Sequence, residues 1–353
     1  MTARGTDWGL ATLVAALVAS GALTLFAGSP GDTWVYAAHD ALGVAIALLL
    51  VFKLRRVWPR VVHASRWDNS TLIGVLGLTL VTVAIGSGLL WSDGVTPAVF
   101  GYSLLSVHDA AGAILVLVVV SHMFARARRI RRHDLAHRRQ FLAAGGIAVA
   151  SFAAWRVQRP IQSLFGLRGA ARRFTGSYEA DSFAGNVFPT TSWVADDPRP
   201  VDLATYNLRV RGLAARELAL TLGDLDGSDE VVATLDCTGG FYSTQRWTGV
   251  RLGRVLELAQ ARPSARHVSV ASLTGYRWSF AIDDARGLLL ATHVGGQPLS
   301  HEHGAPIRLV VPGGRGYQWV KWVQRIELRS EPDYGAPAST VWSSFTAAGS
   351  GGA

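Results

Sequence analysis

The chain has 353 residues, 49% of them hydrophobic, a formal net charge of +9 at pH 7 and a single cysteine. One cysteine excludes an intramolecular disulfide and any zinc or iron–sulfur site built from cysteines alone. The basic excess lies in clusters that abut long apolar runs, which argues for membrane topology and against a nucleic-acid surface.

Apolar runs at about 8–27, 36–53, 71–91, 104–124 and 140–157 each approach the roughly 20 residues that cross a bilayer. Helices of soluble cores are rarely apolar on every face for so long. The connection 53–66 carries Lys53, Arg55, Arg56, Arg60 and Arg66 and no acid, while 126–139 carries seven arginines and one acid, Asp134. The connections 28–35 and 92–103 carry Asp32 and Asp93 and no Lys or Arg. The positive-inside rule therefore puts both basic connections in the cytoplasm. The fifth span then runs outward, and everything beyond about residue 160 is expected on the extracytoplasmic side of the inner membrane.

The first four spans read as a duplication. His39-Asp40-Ala41-Leu42-Gly43 and His108-Asp109-Ala110-Ala111-Gly112 share a His-Asp-Ala-x-Gly core at an offset of 69 residues. Each copy opens an apolar run that ends in arginines, so each half predicts a helical hairpin with a histidine near the outer end of its second helix. Strongly polar side chains within a bilayer are costly and mark function. Two imidazoles at equal depth can ligate one haem iron, and Gly43 and Gly112, one turn on, leave room for a flat macrocycle. The pattern resembles four-helix membrane cytochromes b, which implies a haem b between His39 and His108. The same histidines as interfacial polar caps are the alternative. His122 follows His108 by 14 residues, on about the same helix face, as in two-haem cytochromes. Its repeat partner is Lys53, so a second haem stays open, with His63 of the cytoplasmic connection as substitute ligand. His133 and His137 are read as solvated loop residues.

Residues 158–182 form a basic connector with Arg159, Arg168, Arg172 and Arg173. Beyond it, Val231–Leu235 and Ile307–Val311 read as short strands and Val250–Leu258 as a short helix, which predicts an α+β domain. The cysteine lies in Leu235-Asp236-Cys237-Thr238-Gly239-Gly240-Phe241. By itself it is a buried filler, a nucleophile or one thiolate ligand to a metal held mostly by something else, and the glycines after it admit a bulky partner.

A second block, His303-Gly304-Ala305-Pro306-Ile307-Arg308-Leu309-Val310-Val311-Pro312-Gly313 with Gly316, Lys321 and Trp322, follows about seventy residues later. Together the blocks resemble the molybdopterin-binding domain of the sulfite oxidase family over roughly residues 185–332. The resemblance implies that Cys237 ligates molybdenum and that Asn186, His303, Arg308, Gly316 and Lys321 contact the pterin. Chemically, Arg308 suits a bidentate phosphate contact, Lys321 a point charge, and the glycine loop 313–316 an anion cradle. His303 stands where relatives often have Asn. Arg246 and Arg277 are candidates to attract an anionic substrate. Arg138-Arg139-Gln140-Phe141-Leu142 resembles a twin-arginine export signal, which suits a domain that takes up its cofactor before export.

The expected organisation is a cytochrome b-like four-helix bundle at 1–130, a basic loop and fifth span at 131–160, and a linker at 161–184. The molybdopterin-binding oxidoreductase domain occupies 185–332 and a flexible tail 333–353. The fold class is an all-α transmembrane helical bundle of about five spans followed by an α+β domain. The expected function is a membrane-anchored molybdenum oxidoreductase for a small oxo-substrate, a sulfoxide or a sulfite-like anion, exchanging electrons with haem b and the quinone pool. The alternative is a membrane cytochrome b whose outer domain binds or senses without catalysis.

Overall fold

The computed structural model describes residues 2–339 except 64, 66, 96–98, 100–102, 127–137, 192–195, 197, 226 and 228. It leaves aside the side chains of residues 125, 126 and 138–140. The chain divides into two compact units, residues 1–178 and 179–353.

The first unit holds five helices: α1 (Ala3–Thr24), α2 (Thr33–Val61), α3 (Asn69–Ser92), α4 (Leu104–Arg126) and α5 (Arg138–Leu164). Their starts follow from short polar residues that satisfy first-turn N–H groups. Thr2 Oγ1 accepts from Gly5 N at 3.1 Å ahead of α1, and Asp68 Oδ1 accepts from Thr71 N at 2.7 Å ahead of α3. Five stretches are long and apolar enough to cross a membrane, in agreement with the five runs read from sequence. Their faces are apolar outward as well as inward: Phe124 is 90% exposed and Phe141 79%. The buried centre is correspondingly small, the cluster Val14, Ile46, Val81 and Leu115.

The basic connector is folded onto the helices of its own unit. Arg172 stacks over the Trp91 ring at 4.2 Å, Arg173 Nη2 donates to Gly28 O at 3.1 Å, and Gln162 Nε2 donates to Asp93 Oδ1 at 2.9 Å. Gly169 lies so close to α3 that a Cβ would fall 2.1 Å from Ser92 O. The unit boundary therefore falls at 178, ahead of the expected 184. The twin-arginine pair begins α5, but its side chains, like His133, His137 and Asp134, lie outside the described residues.

The second unit is built on two sheets. Its strands are β1 (Leu208–Gly212), β2 (Leu218–Leu220), β3 (Asp229–Asp236), β4 (Phe241–Arg251), β5 (His267–Ser272), β6 (Arg277–Ala281), β7 (Leu289–Val294), β8 (Gln297–Pro298), β9 (Arg308–Val310) and β10 (Val323–Arg329). In one sheet β4 pairs antiparallel with both β3 and β7, and β7 pairs in turn with β9 and β8. In the other the order is β2-β1-β10-β5-β6, with β10 parallel to β1 and antiparallel to β5. Alternation sets the faces of β4, where Phe241, Ser243, Gln245 and Trp247 are buried in step with the pleat. Two short helices, α6 (Leu252–Leu258) and α7 (Ile282–Arg286), cover edges of the core. The helix expected from Val250 starts at Leu252, because Val250 and Arg251 still pair with β7.

The expected tail is docked through residue 339. Asp333 Oδ2 accepts from Arg277 Nε at 2.6 Å and from Ser269 Oγ at 3.1 Å, and the fully buried Ser339 accepts from Arg277 N at 3.0 Å.

Candidate active site

Cys237 stands at the tip of the β3–β4 hairpin. The turn is closed by Cys237 N donating to Phe241 O at 2.8 Å and Gly240 N donating to Cys237 O at 3.0 Å, with Gly240 at φ +96°. A left-handed residue at the end of the turn explains the second glycine. The first serves the sulfur: Gly239 N lies 3.3 Å from Cys237 Sγ, and a Cβ at Gly239 would come within 3.4 Å of it. Thr191 Oγ1 is 3.1 Å from the same sulfur. The side chain is 7% exposed.

The glycine loop is held against this cysteine by a pair the sequence reasoning missed. Arg315 Nη1 donates to Asp236 Oδ1 at 2.6 Å, both groups being buried. The pair brings Gly316 so close that a Cβ there would fall 2.9 Å from Cys237 Cα. The signal was an acid directly before the cysteine and a base inside the loop. Two N–H groups of the loop are bonded within it: Gly314 N donates to Val311 O at 2.9 Å and Arg315 N to Gln318 Oε1 at 2.9 Å.

Arg308, first residue of β9, points into the interior. Its guanidinium lies 5.6 Å from the Trp247 ring centre and 5.7 Å from that of Trp319. It donates to His303 O at 3.1 Å, and among the described residues its Nε has no partner and the group has no carboxylate. Burial pulls its pKa down to about 10, and the charge that opposes this is the Cys237 sulfur. An uncompensated buried cation is costly and marks where an anion belongs.

His303 and Asn186 tie the 298–303 segment to the 186–188 segment. His303 Nε2 donates to Phe188 O at 2.9 Å, so Nδ1 accepts from Ser300 Oγ at 2.7 Å. Asn186 accepts from Ser300 N at 2.9 Å and donates to Pro298 O at 2.9 Å. Both ring nitrogens of His303 are thus hydrogen-bonded to the chain. Lys321 Nζ donates to Glu302 O at 3.0 Å and sits 4.4 Å from the Trp322 ring centre, with its stem against Gly304. Arg246 is paired with Glu230 at 2.6 Å and Arg277 with Asp333 at 2.6 Å, so both proposed attractors already have a carboxylate.

Residues 195–336 match the family model described as the oxidoreductase molybdopterin binding domain. This part of the chain is an oxidoreductase domain. Over 168 residues the chain is 36% identical to mitochondrial sulfite oxidase of Rattus norvegicus, covering 38% of this chain and 31% of the rat enzyme. Over 99 residues it is 33% identical to the NADPH nitrate reductase of Beauveria bassiana, covering 26% of this chain and 11% of that one. The chain thus spans about a third or less of the length of these relatives. Among solved structures, the sulfane dehydrogenase SoxCD of Paracoccus pantotrophus aligns at 26% identity and TM-score 0.37, over 38% of this chain and 40% of that one.

The residues of the molybdopterin-binding domain fit such a cofactor. A cysteine sulfur beside two hydrogen-bond partners suits a metal thiolate. The buried, unneutralised Arg308 beside it suits an anionic ligand.

A second constellation lies in the helical unit. The His39 and His108 rings, on α2 and α4, have centroids 5.9 Å apart at an interplanar angle of 77°. Ser20 Oγ donates to Leu17 O, so it accepts from His39 Nδ1 at 2.9 Å. His108 Nδ1 donates to Ala84 O at 2.7 Å. Both histidines therefore carry their proton on Nδ1 and present Nε2 as the lone-pair atom, the usual state of a metal-bound imidazole with its outer partner in place. Imidazoles bonded at about 2 Å to opposite sides of one metal have ring centres roughly 6 Å apart. A Cβ at Gly43 or Gly112 would meet nothing within 4 Å, whereas the glycines against the rings are Gly21, where a Cβ would come within 3.4 Å of His39, and Gly88, where it would come within 3.0 Å of His108.

Proposed function

We propose that the chain is a membrane-anchored, molybdenum-dependent oxidoreductase with a bis-histidine haem b in its helical unit. The substrate is a small oxo compound, a sulfoxide or a sulfite-like anion, handled outside the inner membrane. The observation that carries the haem is the His39–His108 pair, with ring centroids 5.9 Å apart and both Nδ1 atoms hydrogen-bonded to the helices. For the molybdenum end it is Cys237 beside a buried arginine that lacks a carboxylate.

When bound, the molybdenum cofactor supplies oxygen-atom and two-electron chemistry, and the haem one-electron transfer. Cys237 holds the metal, Arg308 offsets negative charge next to it, and the Asp236–Arg315 pair fixes the loop that backs the cysteine. Ser20 and the Ala84 carbonyl orient the two imidazoles. The quinone pool is the proposed distal partner, and the five apolar stretches support the membrane setting.

Metal analysis and a dithionite-reduced optical spectrum of detergent-purified protein test this reading. Wild type is expected to hold about one molybdenum and a b-type haem per chain. Cys237→Ser is expected to lose or alter molybdenum coordination and keep the haem, whereas His39→Ala and His108→Ala each lose the haem and keep molybdenum. Haem without molybdenum would leave a cytochrome b with a binding domain; molybdenum without haem would leave a plain anchor.

A further inference from the structure

A cavity of about 700 Å³ opens between α1, α2, α3 and α4, in the half of the bundle away from His39 and His108. Its volume is that of a small-molecule site. One end is polar. Asp7 receives Lys53 Nζ at 2.5 Å and Arg56 Nη2 at 2.7 Å, and His122 stands beside Gly74, where a Cβ would come within 3.3 Å of the ring. The other end is the aliphatic cluster Val14, Ile46, Val81 and Leu115. Ile46 and Leu115 each follow a bundle histidine by seven residues, so this floor lies about 10 Å along the helices from the His39–His108 pair.

The occupant must be mostly apolar, must accept hydrogen bonds at one end, and lies along the helices from the proposed haem. A second haem lacks its second imidazole among the described residues: the repeat partner of His122 is Lys53, tied to Asp7, and His63 is bound to Pro59 O at 2.7 Å and does not border the cavity.

We propose that this cavity binds a lipid-soluble quinone, its carbonyl oxygens toward His122 and the Lys53–Asp7–Arg56 cluster and its apolar body against the aliphatic wall. The proposal rests on the reading of the helical unit as a membrane haem domain for its purpose. Its binding test does not.

The test uses full-length detergent-purified protein and decylubiquinone as probe, with affinity measured by calorimetry and the contact mapped with a photoreactive azidoquinone. Saturable binding at one per chain is expected, with the label on peptides of α1–α4 that border the cavity. Ala11→Trp and Leu78→Trp, which fill it, are expected to weaken binding at least tenfold at unchanged haem and molybdenum content. The proposal is overturned by an absence of saturable binding, by undiminished binding in both filled variants, or by label confined to α5 or the second unit. Two haems per molybdenum, one of them lost in His122→Ala, would also overturn it, as would displacement of the probe by an anionic phospholipid but not by ubiquinone-1. Should a filled variant not fold, the label map in wild type decides. Quinone binding in protein that lacks haem would sustain this site while removing the electron route proposed above.

Discussion

Arg308 is a cation kept in the interior at a cost, so its replacement separates stability from cofactor retention. Arg308→Met removes a buried charge, and the cofactor-free protein is expected to unfold at the same temperature or higher. The same variant is expected to retain several-fold less molybdenum, measured by metal analysis beside a thermal melt. Asp236→Asn acts in the opposite sense. It strands Arg315 without its carboxylate and is expected to cost about 3–5 kcal/mol of unfolding free energy, read from denaturant titration. His303 adds a pH signature. Burial holds its pKa below the ordinary 6.5, so the unfolded chain takes up the proton first. Stability is then full above 6.5 and falls as pH drops below it. Wild type should lose thermal stability over that acid range, and His303→Gln, less stable at neutral pH, should show a flatter acid limb.

At the scale of elements, close backbone approach decides what is tolerated. Gly249 on β4 would place a Cβ 2.0 Å from Leu290 O on β7, so Gly249→Ala must pry apart two paired strands. It is expected to lower the melting temperature by many degrees, whereas Gly275→Ala, which meets nothing within 4 Å, faces only the strain of φ +87°. Much of this layer was legible in sequence. The His-Asp-Ala-x-Gly repeat announced paired hairpins, and the apolar runs announced the helices. The missed features depend on contacts between distant segments. Nothing local to Arg315 says that its partner is Asp236, 79 residues earlier. Nor does the local motif around His303 reveal that Phe188 and Ser300 claim both ring nitrogens. The connector looked like a linker because its arginines are exposed in any local reading. Trp91 and Gly28, which receive Arg172 and Arg173, come from far earlier in the chain.

For the whole molecule, the charge pattern predicts orientation. Alkaline phosphatase fused after residue 31 or residue 94 is expected to be active, and fusions after residue 62 inactive, in cells that export it across the inner membrane. The reverse pattern would invert the topology and place the molybdopterin-binding domain in the cytoplasm.

Cys237 is the one thiol of the chain and is buried at the tip of a hairpin. A stoichiometric count of alkylatable sulfur therefore doubles as a gauge of loading. A fully loaded preparation should resist a brief native pulse of iodoacetamide, unloaded molecules should be modified as their hairpin opens, and every chain should yield one adduct after denaturation. One minus the ratio of the native count to the denatured count gives the fraction of protein that carries metal, with no mutation and no knowledge of the substrate.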